Sequence, residues 1–284
     1  MAMATKKKNT TGARLTRTTL LHIGLSLIAL LMILPFTWMI LTSLKLLEEV
    51  EFDSWLPTIF QWRNYPDVFR MRGIEFGRWY WNSIFVAAWV TFLQVFTSSL
   101  AAFSFSRLEW KGRDRVFFMY LSTMMLPGLV MMIPNYQNMI RLGLVNSYLG
   151  LIIPSAFSAF GTFLMRQFMM NIPKSLDEAA EIDGASKWQL YWEIILPLAR
   201  PAMITLTIFT FIGNYNSMFW PLVMMKSPDK YTLPIGMLAF QSSQGQQTNL
   251  LMAAVAMSVL PMIIIFILMQ KQLVKGIMLG GVKG

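Results

Sequence analysis

The chain has 284 residues, 55% hydrophobic and 13% charged, with a mean hydropathy of +0.51; soluble domains are about one quarter charged, so the composition points to a polytopic membrane protein. It has no cysteine and one histidine, His22, which excludes disulfides and thiolate chemistry and leaves almost nothing from which to build a zinc or haem site. The formal charge of +10 raises the question of nucleic acid, which only the placement of the basic residues can answer.

Six blocks free of Asp, Glu, Lys and Arg follow in chain order: Leu20–Leu44, Trp79–Phe105, Val116–Ile133, Tyr148–Met165, Pro201–Met225 and Leu250–Met269. Each approaches or exceeds the ~20 residues that cross a bilayer. The third and fourth are the shortest and contain Pro127-Gly128 and Pro154; prolines at such depth are tolerated where neighbouring helices satisfy the freed backbone groups. The first block is too long for a cleaved signal and lacks a small-residue cleavage site. His22, near its start, reads as an interfacial hydrogen-bonder.

Six spans put both termini on one side. With the termini in the cytoplasm, the inner segments hold 16 of the 24 basic residues, and five of the remaining eight lie in the long 45–78 loop. That bias supports termini inside. It also explains the net charge as topogenic flanks, without a basic patch for nucleic acid. Trp79-Tyr80-Trp81 and Trp110 suit a bilayer's aromatic belt.

Apart from His22 near the start of the first, the blocks contain no acidic or basic side chain. This argues against a proton- or sodium-coupled carrier, a voltage sensor and an intramembrane hydrolase. No G-x-x-x-x-G-K-[ST] phosphate loop occurs either, so uphill transport would need energy from another subunit. Uncharged polar residues do lie inside: Asn82, Ser83, Gln94, Ser98 and Ser99 in block two, and Asn214, Tyr215, Asn216 and Ser217 in FIGNYNSMFWP of block five. They either line a path for a hydroxyl-rich solute or hydrogen-bond between helices.

Between blocks four and five the chain turns polar. Ser175-Leu-Asp-Glu178 predicts a capping box, with Asp177 and Glu178 in a first helical turn. Leu176, Ala179, Ala180 and Asp183 share a mostly small face that admits close approach. Gly184 ends that helix, and Ser186-Lys-Trp-Gln189 predicts a second capping box. Trp188, Tyr191, Trp192 and Ile195 form an aromatic stripe that would pack under the membrane, and Pro197 and Pro201 bracket re-entry. A helix, a turn and a second helix beneath the bilayer, carrying a small-residue face, suggest docking.

The segment matches the EAA motif, E-A-A-x3-G-x9-I-x-L-P, through Glu178, Ala179, Ala180, Gly184, Ile194, Leu196 and Pro197. The chain resembles the permease subunits of binding-protein-dependent ABC sugar importers, MalG-type branch. The likeness extends to TMMLPGLVMMIP (123–134), RLGLVNSYLGLIIP (141–154), LMRQFMMNIPKSLDEAAEIDGAS (164–186), YTLPIGM (231–237) and the tail QLVKGIMLGGVKG (272–284). The resemblance implies an all-α fold of six transmembrane helices, the type I importer permease fold. Its parts would be a cytoplasmic segment (1–19), a permease domain (20–269) with its coupling loop at 171–200, and a cytoplasmic tail (270–284).

The resemblance also implies coupling helices over 175–195, seated on one of two ATPase subunits, where Glu178 would meet a basic residue. Glu178 cannot serve fully both its own cap and that partner. Gly280, Gly281, Val282 and Lys283 would extend towards the ATPases. The remaining partners would be a second homologous permease subunit, an extracytoplasmic solute-binding protein, a carbohydrate and membrane lipid. The chain itself would hold no cofactor or metal and perform no catalysis, ATP and magnesium being bound by the partner subunits. Two departures stand out: Ser217 lies where members often have aspartate, and the tail reads GIMLGG where small and hydroxyl residues are more usual. Arg63, Arg70, Arg72 and Arg78 make part of the first outer loop basic; they would either steer an acidic oligosaccharide such as alginate or dock the binding protein and lipid headgroups. An ATP-independent carrier or channel is the rival reading, but it would need no docking motif.

Overall fold

The structure, a computed structural model, describes residues 9–51, 55–244 and 247–281, with side chains over 17–50, 55–241 and 247–271. Among them every regular element is helical. The chain divides into two units, Met1–Arg70 with Gln244–Met257, and Met71–Ser243 with Ser258–Gly284.

The first unit holds α1 (Asn9–Ser43), α2 (Leu47–Glu51), α3 (Asn64–Val68) and the beginning of the last helix. His22 Nδ1 donates to the Thr18 carbonyl of its own helix at 2.7 Å. Where α1 ends, Asn64 acts as a clip: its amide donates to the Ser43 and Lys45 carbonyls, both at 2.9 Å. Arg63 pairs with Asp67 at 3.7 Å.

The second unit is organised around α4 (Phe76–Arg107), a 32-residue helix. Following it are α5 (Arg113–Ser122), α6 (Gly128–Arg141), α7 (Tyr148–Ser155), α8 (Ala159–Met170) and α9 (Ser175–Ile182). Next come α10 (Lys187–Leu198), α11 (Arg200–Tyr215), α12 (Phe219–Met224) and α13 (Leu233–Gln244); α14 (Thr248–Gly281) closes the chain. α8 and α11 pack against α4, and Gly161 permits the approach, since a Cβ there would stand 2.5 Å from Ser98 Oγ on α4. Close contact through small residues is what drives helix association in lipid, where hydrophobicity does not.

Three helices are long and apolar enough to cross a membrane: Arg17–Ser43 in α1, α4, and Thr248–Lys271 in α14. Three bent pairs raise the number to as many as six if each counts as one span. The sharpest bend, 99°, separates Arg113–Met125 from α6, at the Pro127-Gly128 site noted in the sequence. Proline drives the residue before it out of the helical region, and Leu126 is extended at φ −79°, ψ 121°.

α7 and α8 meet at 43°. Pro154 deprives the Gly150 carbonyl of its helical donor, and Trp220 Nε1 replaces it at 3.2 Å. Ser158 then caps α8 by accepting from the Gly161 amide at 2.9 Å. The third bend, 73°, lies between α10 and α11. Block five divides: α11 stops at Tyr215, and α12 resumes at Phe219.

Candidate functional site: the coupling hairpin and a polar break

α9 does not begin with the capping box expected at Ser175. The residue before it, Lys174, is already helical (φ −66°, ψ −23°), and no side chain caps the helix. The Lys174 carbonyl accepts from the amides of Asp177 at 2.9 Å and Glu178 at 3.1 Å. The first turn is therefore wound before Ser175, whose hydroxyl has no orphan amide to serve. The two acids of that turn diverge. Asp177 turns inward to Arg107 on α4, with Nη1 to Oδ2 at 2.9 Å and side chains 2% and 16% exposed. Glu178 is exposed, and among the described residues its carboxylate has neither a hydrogen bond nor an ion pair.

The end of α9 follows the sequence reading closely. Gly184 has φ +77°, the left-handed conformation glycine adopts without strain. The Ala185 amide donates to the Ala180 carbonyl at 2.9 Å and the Gly184 amide to that of Glu181 at 3.1 Å, a Schellman ending. Lys187 pairs with Glu181 across the turn. The second capping box is present: Ser186 Oγ accepts from the Gln189 amide at 3.3 Å, and Gln189 Oε1 from the Ser186 amide at 2.8 Å.

The two alanines of the motif separate as well. Ala180 is 5% exposed in a cluster with Phe103, Met165, Met169 and Ile195, whereas Ala179 and Asp183 face outward. Ile194 and Leu196 lean against that cluster and Pro197 is exposed. The aromatic stripe expected for α10 is present, with the Trp188, Tyr191 and Trp192 rings in mutual contact at centroid distances of 5.0–6.4 Å, but its burial is uneven: Tyr191 and Ile195 are buried, while Trp188 and Trp192 are 61% and 48% exposed. Leu190–Ile195 is a π-helix, in which the Leu196 amide reaches the Tyr191 carbonyl. Pro197 is the physical reason, because it removes the donor for the Glu193 carbonyl and its ring crowds that oxygen.

The polar residues of block two are largely committed to structure. Ser99 Oγ and the Tyr191 hydroxyl lie 2.7 Å apart, and the Phe103 ring packs edge-on to Tyr191. The Asn82 amide donates to the Asp229 and Tyr231 carbonyls at 3.0 and 2.9 Å, and its oxygen accepts from Tyr148 at 2.8 Å. Ser83 Oγ accepts from the Leu233 amide at 2.7 Å. Near these, Trp79 Nε1 donates to Pro228 at 2.8 Å.

The Asn214–Ser217 cluster also splits. Asn214 donates back to Thr210 at 2.8 Å; Tyr215 is buried and its hydroxyl donates to Ser258 at 2.9 Å. Asn216 and Ser217 fall in the break between α11 and α12 and line a 620 Å³ cavity with Asn135, Ser155, Phe219 and Trp220. A bay with amides, hydroxyls and aromatic faces has the chemistry to hold a polar, ring-shaped solute. Of the tail residues, Gly280 and Gly281 end α14, while Val282 and Lys283 lie outside the described residues.

Arg107 and Tyr191 are the site residues that sequence reasoning undervalued. Arg107 follows the second block by two residues and reads in the sequence as a topogenic charge; that position, with an acidic turn downstream, is the available signal. At the same end of α4, Arg166 pairs with Asp114 at 3.2 Å and lies 4.1 Å over the Phe117 ring. The Arg113 side chain, donating to Asp114 at 3.1 Å, holds that carboxyl below its usual range.

Comparison with known proteins places this geometry. The family described as "Binding-protein-dependent transport system inner membrane component" matches residues 94–278. The chain is 32% identical to the arabinooligosaccharides transport system permease protein AraQ of Halalkalibacterium halodurans, over 93% of this chain and 96% of that protein. It is 33% identical to the trehalose/maltose transport system permease protein MalG of Thermococcus litoralis, with the same coverage of both. Among solved structures, a chain of a bacterial ABC transporter involved in the import of the acidic polysaccharide alginate superposes with a TM-score of 0.78 at 26% identity, covering 95% of this chain and 99% of that one. The chain therefore belongs to the inner-membrane components of binding-protein-dependent transport systems, the permease subunits of ABC importers.

Proposed function

We propose that this chain is one of two homologous membrane subunits of an importer that moves a carbohydrate, delivered by an extracytoplasmic solute-binding protein, with power from two ATPase subunits docked on the α9–α10 hairpin. One observation carries the reading: α9 is fixed to the bundle by Ala180 and Asp177 while Glu178 and Ala179 face outward, the glutamate without a partner among the described residues. An exposed anion beside a small residue, on a rigid helix ended by a tight turn, suits insertion into a cleft with a basic wall. The termini would be cytoplasmic, with the tail around Gly280–Lys283 reaching towards the ATPases. Nucleotide and magnesium would remain on the ATPases, and this chain would perform no covalent step. Closure of the ATPases would drag the hairpin and rock the bundle between two packed states.

The cavity at the α11–α12 break would form part of the route, with Asn216 and Ser217 offering hydrogen bonds and Phe219 and Trp220 offering ring faces. Tyr215 would support that break rather than touch solute, while Asn214, which lines a smaller neighbouring pocket with Ser217 and Trp220, would stand beside the route. A carbohydrate cargo rests on the named relatives. An acidic one is favoured by the alginate-importer likeness, but Arg63 and Arg78 each pair with a local acid, Asp67 and Glu75, which weakens a steering field. Titration of the binding protein with neutral and uronate oligosaccharides separates the two cargoes.

The test of the coupling reading is co-purification with the ATPases and the partner permease. Glu178→Lys should abolish ATPase association and transport while the chain still inserts and folds. Association that survives both Glu178→Lys and Gly184→Pro overturns the docking assignment. Solute accumulation by the purified chain alone in vesicles overturns the whole reading in favour of an ATP-independent carrier.

A further inference from the structure

We infer that Arg107 is a positioning residue for energy transfer: with Asp177 it forms a node that carries displacement of the docked α9 into the long helix α4. The inference rests on the docking reading above but concerns a different residue pair, on the opposite face of the hairpin. Arg107 is the last residue of α4, and its side chain is 2% exposed. Nη1 donates to Asp177 in the first turn of α9 at 2.9 Å. Nη2 donates to the Ile172 carbonyl at 2.7 Å and also to the Met169 carbonyl, at the end of α8. One planar fork thus joins three chain segments: the end of α4, the end of α8 and the start of α9.

Stability alone is a poor account of this arrangement. Arg107 Nε and Asp177 Oδ1 are buried with no hydrogen-bond partner among the described residues. An incompletely satisfied buried pair holds structure no better than apolar packing would. What the fork supplies, and packing cannot, is a directional link of fixed geometry. Consecutive residues on a helix point about 100° apart, so Asp177 faces the bundle while Glu178 faces outward. A pull on Glu178 reaches Arg107 through one peptide unit. Tyr191 on α10, bonded to Ser99 of α4, provides a second attachment that keeps the hairpin in place when the node is weakened. Weakening of the node should therefore uncouple the machine without dismantling it.

The experiment uses the assembled transporter in vesicles with its binding protein, and measures complex yield, ATP hydrolysis and solute transported per ATP. Asp177→Asn keeps shape and an acceptor oxygen for Arg107 but removes the charge. It should leave the ATPases bound, make hydrolysis less dependent on the binding protein, and lower transport per ATP about fivefold or more, the lower edge of ordinary coupling effects. Asp177→Glu should recover part of that ratio, and Arg107→Lys, which keeps charge but not the fork, should fall between. A lower complex yield with an unchanged ratio means a purely structural role and overturns the inference. So does loss of ATPase association in Asp177→Asn, which would make Asp177 itself a docking residue. Glu178→Lys run alongside separates the two ideas: if its ATPases stay bound, the docking reading fails whatever Asp177 does.

Discussion

The two ends of α4 hold their neighbouring segments by different chemistry. At the N-terminal end, Trp79, Asn82 and Ser83 grip residues 228–233 through neutral bonds directed at backbone groups. Asn82 uses both its donors and its oxygen, although the Thr232 hydroxyl in the same segment is buried without a partner among the described residues. At the C-terminal end, one buried arginine grips two helix termini and an aspartate, and leaves a donor and an acceptor unused. Neutral bonds to backbone groups pin a loop in one shape. A buried charged fork depends steeply on geometry, and geometry is what a power stroke would change. On the coupling proposed above, the first end would stay rigid and the second would transmit.

The largest expected effect tests the second end. Arg107→Ala strands Asp177 and two helix-end carbonyls, and should destabilise the chain by about 3–5 kcal/mol, as loss of one partner of a buried pair does. Thermal unfolding of the purified transporter in detergent would register this as a large fall in midpoint. A fall no greater than that of an ordinary surface change would mean the node is solvated and the contrast false. At the first end, Asn82→Ala should cost less, about 2 kcal/mol, because the Asp229 and Tyr231 carbonyls lose their donor but lie near the surface of the unit. Its distinctive sign is local: limited proteolysis should cut at 226–233 in the variant and not in the parent, with transport per ATP unchanged. An altered ratio there would erase the division of labour between the two ends.

Much of this was legible in the sequence where the cause is local. Gly184 and the Ser186–Gln189 box follow from backbone conformation and nearest neighbours, and each is where those rules put it; Pro127-Gly128, read as tolerated within one span, instead bends the chain by 99°. The reading failed where a distant residue decides. Ser175 looked like a cap because the S-x-x-E spacing is right, but Pro173 and Lys174 had already started the turn. Asp177 looked like a helix-dipole acid, and its partner lies 70 residues upstream. The aromatic stripe of α10 was legible as ring contacts, but not its uneven burial, because Pro197 widens the segment into a π-helix that departs from the 3.6-residue period. In FIGNYNSMFWP the composition signalled polarity but not which residues spend it on the fold; Tyr215 does so against Ser258, which belongs to another block.

The smallest effect on the fold is the sharpest test of the hairpin's outward face, and it compares two adjacent alanines. Ala180 sits in the core beneath α4, so Ala180→Leu overpacks it and should cost about 1–3 kcal/mol. Ala179 is exposed, so Ala179→Leu should change stability by no more than about 0.5 kcal/mol. If the exposed face enters a cleft, the added isobutyl group must nevertheless collide with the cleft wall. Complex yield should then collapse for Ala179→Leu although its unfolding midpoint matches the parent's. Size-exclusion analysis of the transporter beside the melting curve reads both quantities from one preparation. Retention of the ATPases by Ala179→Leu would mean that this face meets only water, and that the small residue at 179 has no docking role to explain it.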